Sequence, residues 1–156
     1  MKKASFTTLF VSLALLCAAA AQARDSVHFF PIQNALKMSD AKRLRGEINY
    51  YFADQPHPSV GAMLSQGVVT SKKGTMVVNS AVIEANDEIR NACSRTFLVA
   101  LAQLQARARR VGGNAVVNIE SYYRKDAYRS NDQFECHTGY AKVGVMLKGD
   151  IVRLNN

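Results

Sequence analysis

Two cysteines and the histidine beside one of them are the residues of this chain best suited to chemistry. Cys93 and Cys136 lie far apart in the sequence, and His137 directly follows Cys136. The two cysteines can form a structural disulfide, or all three residues can bind a soft metal. Redox catalysts usually hold their cysteines as Cys-x-x-Cys, a spacing that is absent here. The sequence therefore favours a Cys93–Cys136 disulfide, with metal binding by Cys93, Cys136 and His137 as the alternative.

A polar segment rich in tyrosine and basic residues is the second candidate site. Its aromatic and cationic members are Tyr122, Tyr123, Arg124, Lys125, Tyr128 and Arg129. Tyrosine and arginine are over-represented where the energy of binding concentrates. The segment therefore predicts a binding surface for an anionic partner, and the competing interpretation is a solvated loop with incidental tyrosines.

The charge of the chain bears on the kind of partner it can have. There are 20 Lys and Arg residues against 12 Asp and Glu residues, a formal net charge of +8. The basic residues are spread along the sequence without a block of like charges, which argues against a nucleic-acid-binding arm. The charge fits a solvated face, or attraction to an anionic envelope component or another envelope protein.

Motifs of the common enzyme classes are missing from the sequence. No histidine has a nucleophile at a recognisable spacing, and Gly112-Gly113 follows a helical pattern where a phosphate loop would precede one. The sequence implies no cofactor. It favours a non-catalytic binding or envelope-associated module. A metal-binding or metal-sensing protein is the alternative, and an unrecognised hydrolase or redox enzyme is a third hypothesis.

Residues 1–23 have the layout of a secretory signal peptide. Lys2-Lys3 is followed by the uncharged apolar run Ala4–Ala20 and by the small-x-small site Ala21-Gln22-Ala23. The run is short for a membrane span, and no later stretch of the chain is long and apolar enough for one. The sequence predicts a periplasmic or secreted protein whose mature part, residues 24–156, is a single domain.

The most regular pattern in the mature chain is helical. Asp87 to Val111 is predicted as one long helix, with Asn86 as its N-cap and Gly112-Gly113 at its end. Steps of three and four separate the residues of one apolar stripe, which are Ile89, Cys93, Phe97, Leu101, Leu104, Ala108 and Val111. The stripe predicts that this helix packs on a sheet.

Shorter patterns predict that sheet and a second, short N-terminal helix at Gln33–Leu44. The predicted strands are Val27–Pro31, Glu47–Phe52, Val60–Thr70, Thr75–Ile83, Asn114–Tyr123, Tyr140–Leu147 and Ile151–Leu154. Ser71–Gly74 is predicted as a turn, Arg124–Thr138 as a polar loop, and Gly149-Asp150 as a break. The expected fold class is α+β, with a mainly antiparallel sheet covered by the long helix.

Within Asn114–Tyr123, strict alternation predicts which residues share a face. Ala115, Val117 and Ile119 are expected on the apolar face. The opposite face is expected to carry Asn118, Glu120 and Tyr122.

Several of these motifs together resemble a known group of proteins. From Cys93 to Leu154 the chain has a cysteine, an Ala/Leu/Arg helix, Gly-Gly-Asn-Ala-Val-Val-Asn, a second cysteine and Val-Gly-Val-Met-Leu-Lys-Gly-Asp. With Asp54-Gln55-Pro56-His57-Pro58, this resembles small secreted bacterial proteins of unknown function, some of which are labelled "excinuclease ATPase subunit". The chain has neither the Walker motif nor the zinc-finger cysteines that this label requires.

The helix followed by Gly-Gly-Asn-Ala-Val-Val is also similar to two further groups. One is the YbjQ-type proteins, which are named for heavy-metal binding. The other is the signalling domain of the Rcs envelope-stress lipoprotein, in which disulfides hold a similar helix-strand unit. These resemblances imply a compact α+β domain in which a helix packs on a sheet.

Overall fold

A computed structural model of the chain describes residues 26–44, 46, 48–74, 82–139 and 142–155, and the predicted signal peptide lies outside these ranges. In chain order the elements are β1 (Ser26–Pro31), α1 (Ile32–Lys37), a 3-10 helix (Ser39–Leu44), β2 (Asn49–Phe52), β3 (Val60–Gly74), α2 (Val82–Val111), β4 (Ala115–Tyr123), β5 (Asp126–Tyr128), β6 (Gln133–Thr138) and β7 (Lys142–Leu154). The protein has the predicted α+β fold, with one long helix and a mainly antiparallel sheet.

The sheet is organised around β7. β3 pairs antiparallel along the length of β7, from Val60 opposite Leu154 to Gly74 opposite Lys142. β4 and β6 also pair antiparallel with β7, while β1 extends the sheet from β6 and β2 joins β4 in parallel. Alternate residues of β7 are buried because one face of the strand, with Val145, Leu147 and Ile151, belongs to the core that α2 covers.

α2 packs on one face of this sheet. Its buried stripe is Cys93, Phe97, Leu101, Leu104 and Ala108, and Leu98 and Ala100 widen it. The rings of Phe97 and Phe134 stack with centroids 4.2 Å apart, so the helix and β6 meet through aromatic packing. Val111 is 42% exposed, and the predicted stripe therefore ends one turn early, at Ala108.

The end of α2 follows the prediction and its beginning does not. Gly112 has φ +74°. The N–H of Gly113 donates to the carbonyl of Ala108, and that of Gly112 to Arg109, which are the two bonds of a Schellman cap. Asn86 lies inside the helix, which begins at Val82, so its prediction as the N-cap is wrong.

Three other predictions are corrected in the first half of the chain. The short N-terminal helix is interrupted at Met38, whose ψ of 152° is extended, and continues as a 3-10 helix. Ser71–Gly74 belongs to β3 and does not form a turn. Of the strand predicted at Thr75–Ile83, residues 75–81 lie outside the described residues, and Val82 and Ile83 are helical.

Two corrections concern the second half. The predicted polar loop Arg124–Thr138 contains β5 and β6. β7 continues through Gly149-Asp150 without a break. A Cβ atom on Gly149 would lie 2.7 Å from a methyl carbon of Val116, so close packing, and not a turn, explains this glycine.

Candidate binding surface and polar cleft

The two cysteines form the predicted disulfide. Cys93 on α2 and Cys136 on β6 are bonded, with an S–S distance of 2.07 Å, and both residues are fully buried. The Nε2–H group of His137 donates a hydrogen bond to the Glu135 carboxylate. A disulfide offers no thiolate ligands. Across the described ranges, no group of three or more His, Cys, Asp or Glu side chains is arranged to hold a metal.

Aromatic and histidine side chains pack around this region. The rings of His137 and Tyr123 are stacked with centroids 3.3 Å apart. On β1, the Nε2 atom of His28 lies 2.9 Å from the hydroxyl of Thr138. Partial burial lowers the pKa of His28, and the charge of His137 lowers it further. The neutral imidazole of His28 is therefore favoured in the folded protein.

A tight hairpin places the predicted binding residues. β4 and β5 pair antiparallel, with Tyr123 opposite Asp126, so Arg124 and Lys125 form a two-residue turn. Their φ angles are +50° and +73°, as in the type I′ turn that matches the twist of a hairpin. Asn-Gly is the usual sequence at such a turn, and because Arg124-Lys125 stands here instead, the sequence pattern predicted a loop.

We call Tyr122, Tyr123, Arg124, Lys125, Tyr128 and Arg129 the hairpin surface. Arg124 and Lys125 are exposed at its tip, and the guanidinium carbon of Arg124 lies 5.3 Å from the centre of the Tyr123 ring. The ring of Tyr128 packs against Phe29 of β1 at 4.6 Å. Phe29 is 46% exposed, so this aromatic pair extends the hairpin surface onto the edge strand.

Arg129 differs from the other cations of the hairpin surface because two carboxylates bind it. Its Nη2 donates to Asp54 at 2.7 Å and its Nη1 to Glu120 at 2.9 Å. These hydrogen bonds, the one to Asp54 first, raise the pKa of Arg129. Arg129 thus ties the segment after β2 to the hairpin, and the structure gives it a positioning role that its sequence pattern did not reveal.

Sequence reasoning missed a β-bulge in β4 and its consequence. Asn118 has φ +53°, and the pairing of β4 with β7 shifts between Val117 and Glu120. Before the bulge, Val116 faces α2; after it, Ile119 does. The predicted face of Ala115, Val117 and Ile119 is therefore wrong, since Ala115 and Val117 belong to a separate cluster with Val152 and Leu154.

The bulge helps to form a polar cleft on the face of the sheet opposite α2. The cleft has a volume of about 310 Å³ and is lined by Gln66, Asn118, Glu120, Arg129, Lys148 and Asp150. We call these residues the polar cleft. Lys148 and Asp150 face it because they alternate along β7 with the buried Leu147 and Ile151. Only Arg129 was identified from the sequence as a candidate residue.

Hydrogen bonds fix the side chains of the polar cleft. Gln66 and Asn118 donate their amide N–H groups to the two oxygens of Asp150, at 3.0 and 2.9 Å. Glu120 is 7% exposed and accepts from Arg129 at 2.9 Å and from Lys148 at 3.3 Å. The polar cleft contains paired charges and amides and no histidine. His57 lies elsewhere, against the Tyr51 ring, with its Nδ1 atom 2.8 Å from the carbonyl oxygen of Pro58.

The chain matches no protein-family model, no curated protein and no solved structure. The resemblances noted from the sequence therefore remain expectations. Among the described helices, none combines the length and apolar character that crossing a membrane requires.

Proposed function

We propose that this protein is an exported, non-catalytic binding module that uses the hairpin surface to bind an anionic polymer of the cell envelope. The observation that carries the proposal is the pair of exposed cations, Arg124 and Lys125, at the tip of a tight hairpin whose sides carry tyrosines. Cations that project from a turn reach an extended polyanion without displacing other parts of the fold.

The aromatic residues beside the cations support the same proposal. Tyr122 and Tyr123 precede the turn, and Tyr128 packs on the exposed Phe29. Tyrosine and phenylalanine offer large rigid faces whose ordering on binding costs little conformational entropy. A partner held by charge at the tip of the hairpin can therefore gain contact area along its side.

Export is supported by two independent features. The first is the predicted signal peptide, and the second is the buried Cys93–Cys136 disulfide, since disulfides persist in oxidising compartments such as the periplasm. Without Lys2 and Lys3 of the predicted signal peptide, 18 basic and 12 acidic residues remain, and this formal charge of +6 also suits an environment rich in anionic polymers.

Binding of dextran sulfate, compared with uncharged dextran, tests the proposal. The double variant Arg124→Gln/Lys125→Gln should bind dextran sulfate several-fold more weakly. The slope of log affinity against log salt should become shallower, because fewer counterions are released. Arg129 is left unchanged, since its removal would leave the carboxylate of Glu120 short of a partner and confuse stability with binding.

A matched variant controls for the loss of net charge. Lys37 and Lys42 are exposed on α1 and the 3-10 helix, two elements that pack on α2 and lie far from the hairpin in the sequence. Lys37→Gln/Lys42→Gln should leave the affinity and salt slope near those of the unmodified protein. Equal effects of the two double variants would mean that net charge alone drives binding and would refute a specific role for the hairpin surface.

A further inference from the structure

We infer that the polar cleft is a second site, which binds a neutral, hydroxyl-rich ligand the size of one sugar ring. The inference does not depend on the polyanion proposed for the hairpin surface. It begins from the position of the cleft on the side of the sheet that α2 leaves uncovered. Every side chain that lines the cleft is polar or charged.

The hydrogen-bonding groups of the cleft include both donors and acceptors. Gln66 and Asn118 each use an N–H on Asp150, which fixes the planes of both amides. Their amide oxygens have no hydrogen-bond partner among the described residues, so both can accept from a ligand. Lys148 contributes further donors, since an ammonium carries three and Glu120 takes one. A sugar hydroxyl, which both donates and accepts, suits such a mixed lining.

The charges of the cleft are balanced, and this favours a neutral ligand. The cations Arg129 and Lys148 both bond to Glu120, and Asp54 binds Arg129 from outside the cleft. An anion bound to the free donors of Lys148 would compete with Glu120, whose carboxylate lies 3.3 Å from the same ammonium and repels a second negative charge. A cation would face the same competition at Asp150, which already accepts from Gln66 and Asn118.

The size and rigidity of the cleft set the size of the ligand. Its volume of about 310 Å³ lies at the lower end of the range of roughly 300–1,000 Å³ for small-molecule sites. β3, β4 and β7 carry five of its six side chains, and Glu120 lies directly opposite Lys148 in the register. A site on paired strands keeps its geometry, which reduces the entropy lost on binding.

Amide chemical shifts measured by NMR while neutral sugars are added test the inference. The probes are glucose, galactose, mannose and N-acetylglucosamine, with phosphate and acetate as charged comparisons. At least one sugar should shift the amide signals of Gln66, Asn118, Lys148 and Asp150 in a saturable way. If no sugar does so, or if phosphate or acetate binds the cleft more tightly than every sugar, the inference is wrong.

Two glycine substitutions separate the cleft from the hairpin. Asn118→Gly removes a cleft side chain at φ +53°, where glycine is favoured, so the fold should not suffer. It should weaken sugar binding about three- to tenfold, the effect of losing one hydrogen bond. Lys125→Gly, at φ +73°, makes the same kind of change on the hairpin and should leave sugar binding unaltered. Equal sugar affinities in Asn118→Gly and the unmodified protein would overturn the assignment.

Discussion

At the scale of single residues, Gly149 shows how one missing side chain permits the packing of the sheet. A Cβ atom there would lie 2.7 Å from a Val116 methyl carbon and 3.3 Å from an Ile119 methylene carbon. Val116 and Ile119 are buried and β-branched, so they have little freedom to move. Gly149→Ala should therefore destabilise the protein by about 1–3 kcal/mol, as overpacked core variants do. Urea denaturation monitored by circular dichroism measures this change.

Gly139 provides the matched control for Gly149. Apart from its chain neighbours, no heavy atom of the described residues lies within 4 Å of the position that its Cβ would take. Gly139→Ala should leave the urea midpoint unchanged or raise it, because alanine restricts the unfolded chain. If both alanine variants unfolded at the same urea concentration, the close packing around Gly149 would not explain why glycine occupies that position.

At the scale of elements, the turn of the β4–β5 hairpin has residues that are unfavourable in its backbone conformation. Arg124 and Lys125 both adopt positive φ, a conformation that costs ordinary residues roughly 1–2 kcal/mol each. Arg124→Asn/Lys125→Gly should raise the free energy of unfolding by about 1–2 kcal/mol, since Asn-Gly is the preferred type I′ sequence. The same variant should bind dextran sulfate more weakly. Thermal unfolding and the polymer assay, made on one sample, measure both effects.

Lys125→Ala tests whether backbone strain causes the gain in stability. Alanine removes the charge of Lys125 but keeps its Cβ atom, so the strain at φ +73° stays. This variant should show no gain in stability. If it were as stable as the Asn-Gly variant, the gain would come from reduced charge repulsion, and our explanation of the turn would be contradicted.

The elements also show how much the sequence could predict. α2 was predictable because its pattern is local: Cys93, Phe97 and Leu101 recur at helical spacing, and Gly112 ends the helix. β5 and β6 were missed because the turn at Arg124 and Lys125 lacks glycine and asparagine. The polar cleft was missed because the bulge at Asn118 reverses the alternation of β4, and because Asp150 and Gln66 meet only through the pairing of β3 with β7.

At the scale of the whole molecule, one line of buried contacts fastens α2 to the sheet. Cys93 and Phe97 are one helical turn apart, about 6 Å along the axis. Their partners Cys136 and Phe134 are two residues apart on β6, which is about 7 Å and so within about 1 Å of the helical spacing. Because the two spacings match, the disulfide and the ring stack form side by side. The helix-covered face is thereby fixed, and the opposite face carries the polar cleft.

The disulfide should account for a large part of the protein's stability. It joins positions separated by 43 residues. A bond that closes a loop of that length lowers the entropy of the unfolded chain and thereby stabilises the folded state by about 4 kcal/mol. Protein recovered from the periplasm should have the mass of a chain that begins at Arg24, and that mass should rise by two hydrogens on reduction. Its urea midpoint should fall sharply in reductant. Reductant should not change the urea midpoint of the double variant Cys93→Ala/Cys136→Ala, which has no disulfide to lose. If the unmodified protein were equally stable with and without reductant, packing around Phe97 would hold α2 without the bond, and the prediction would be wrong.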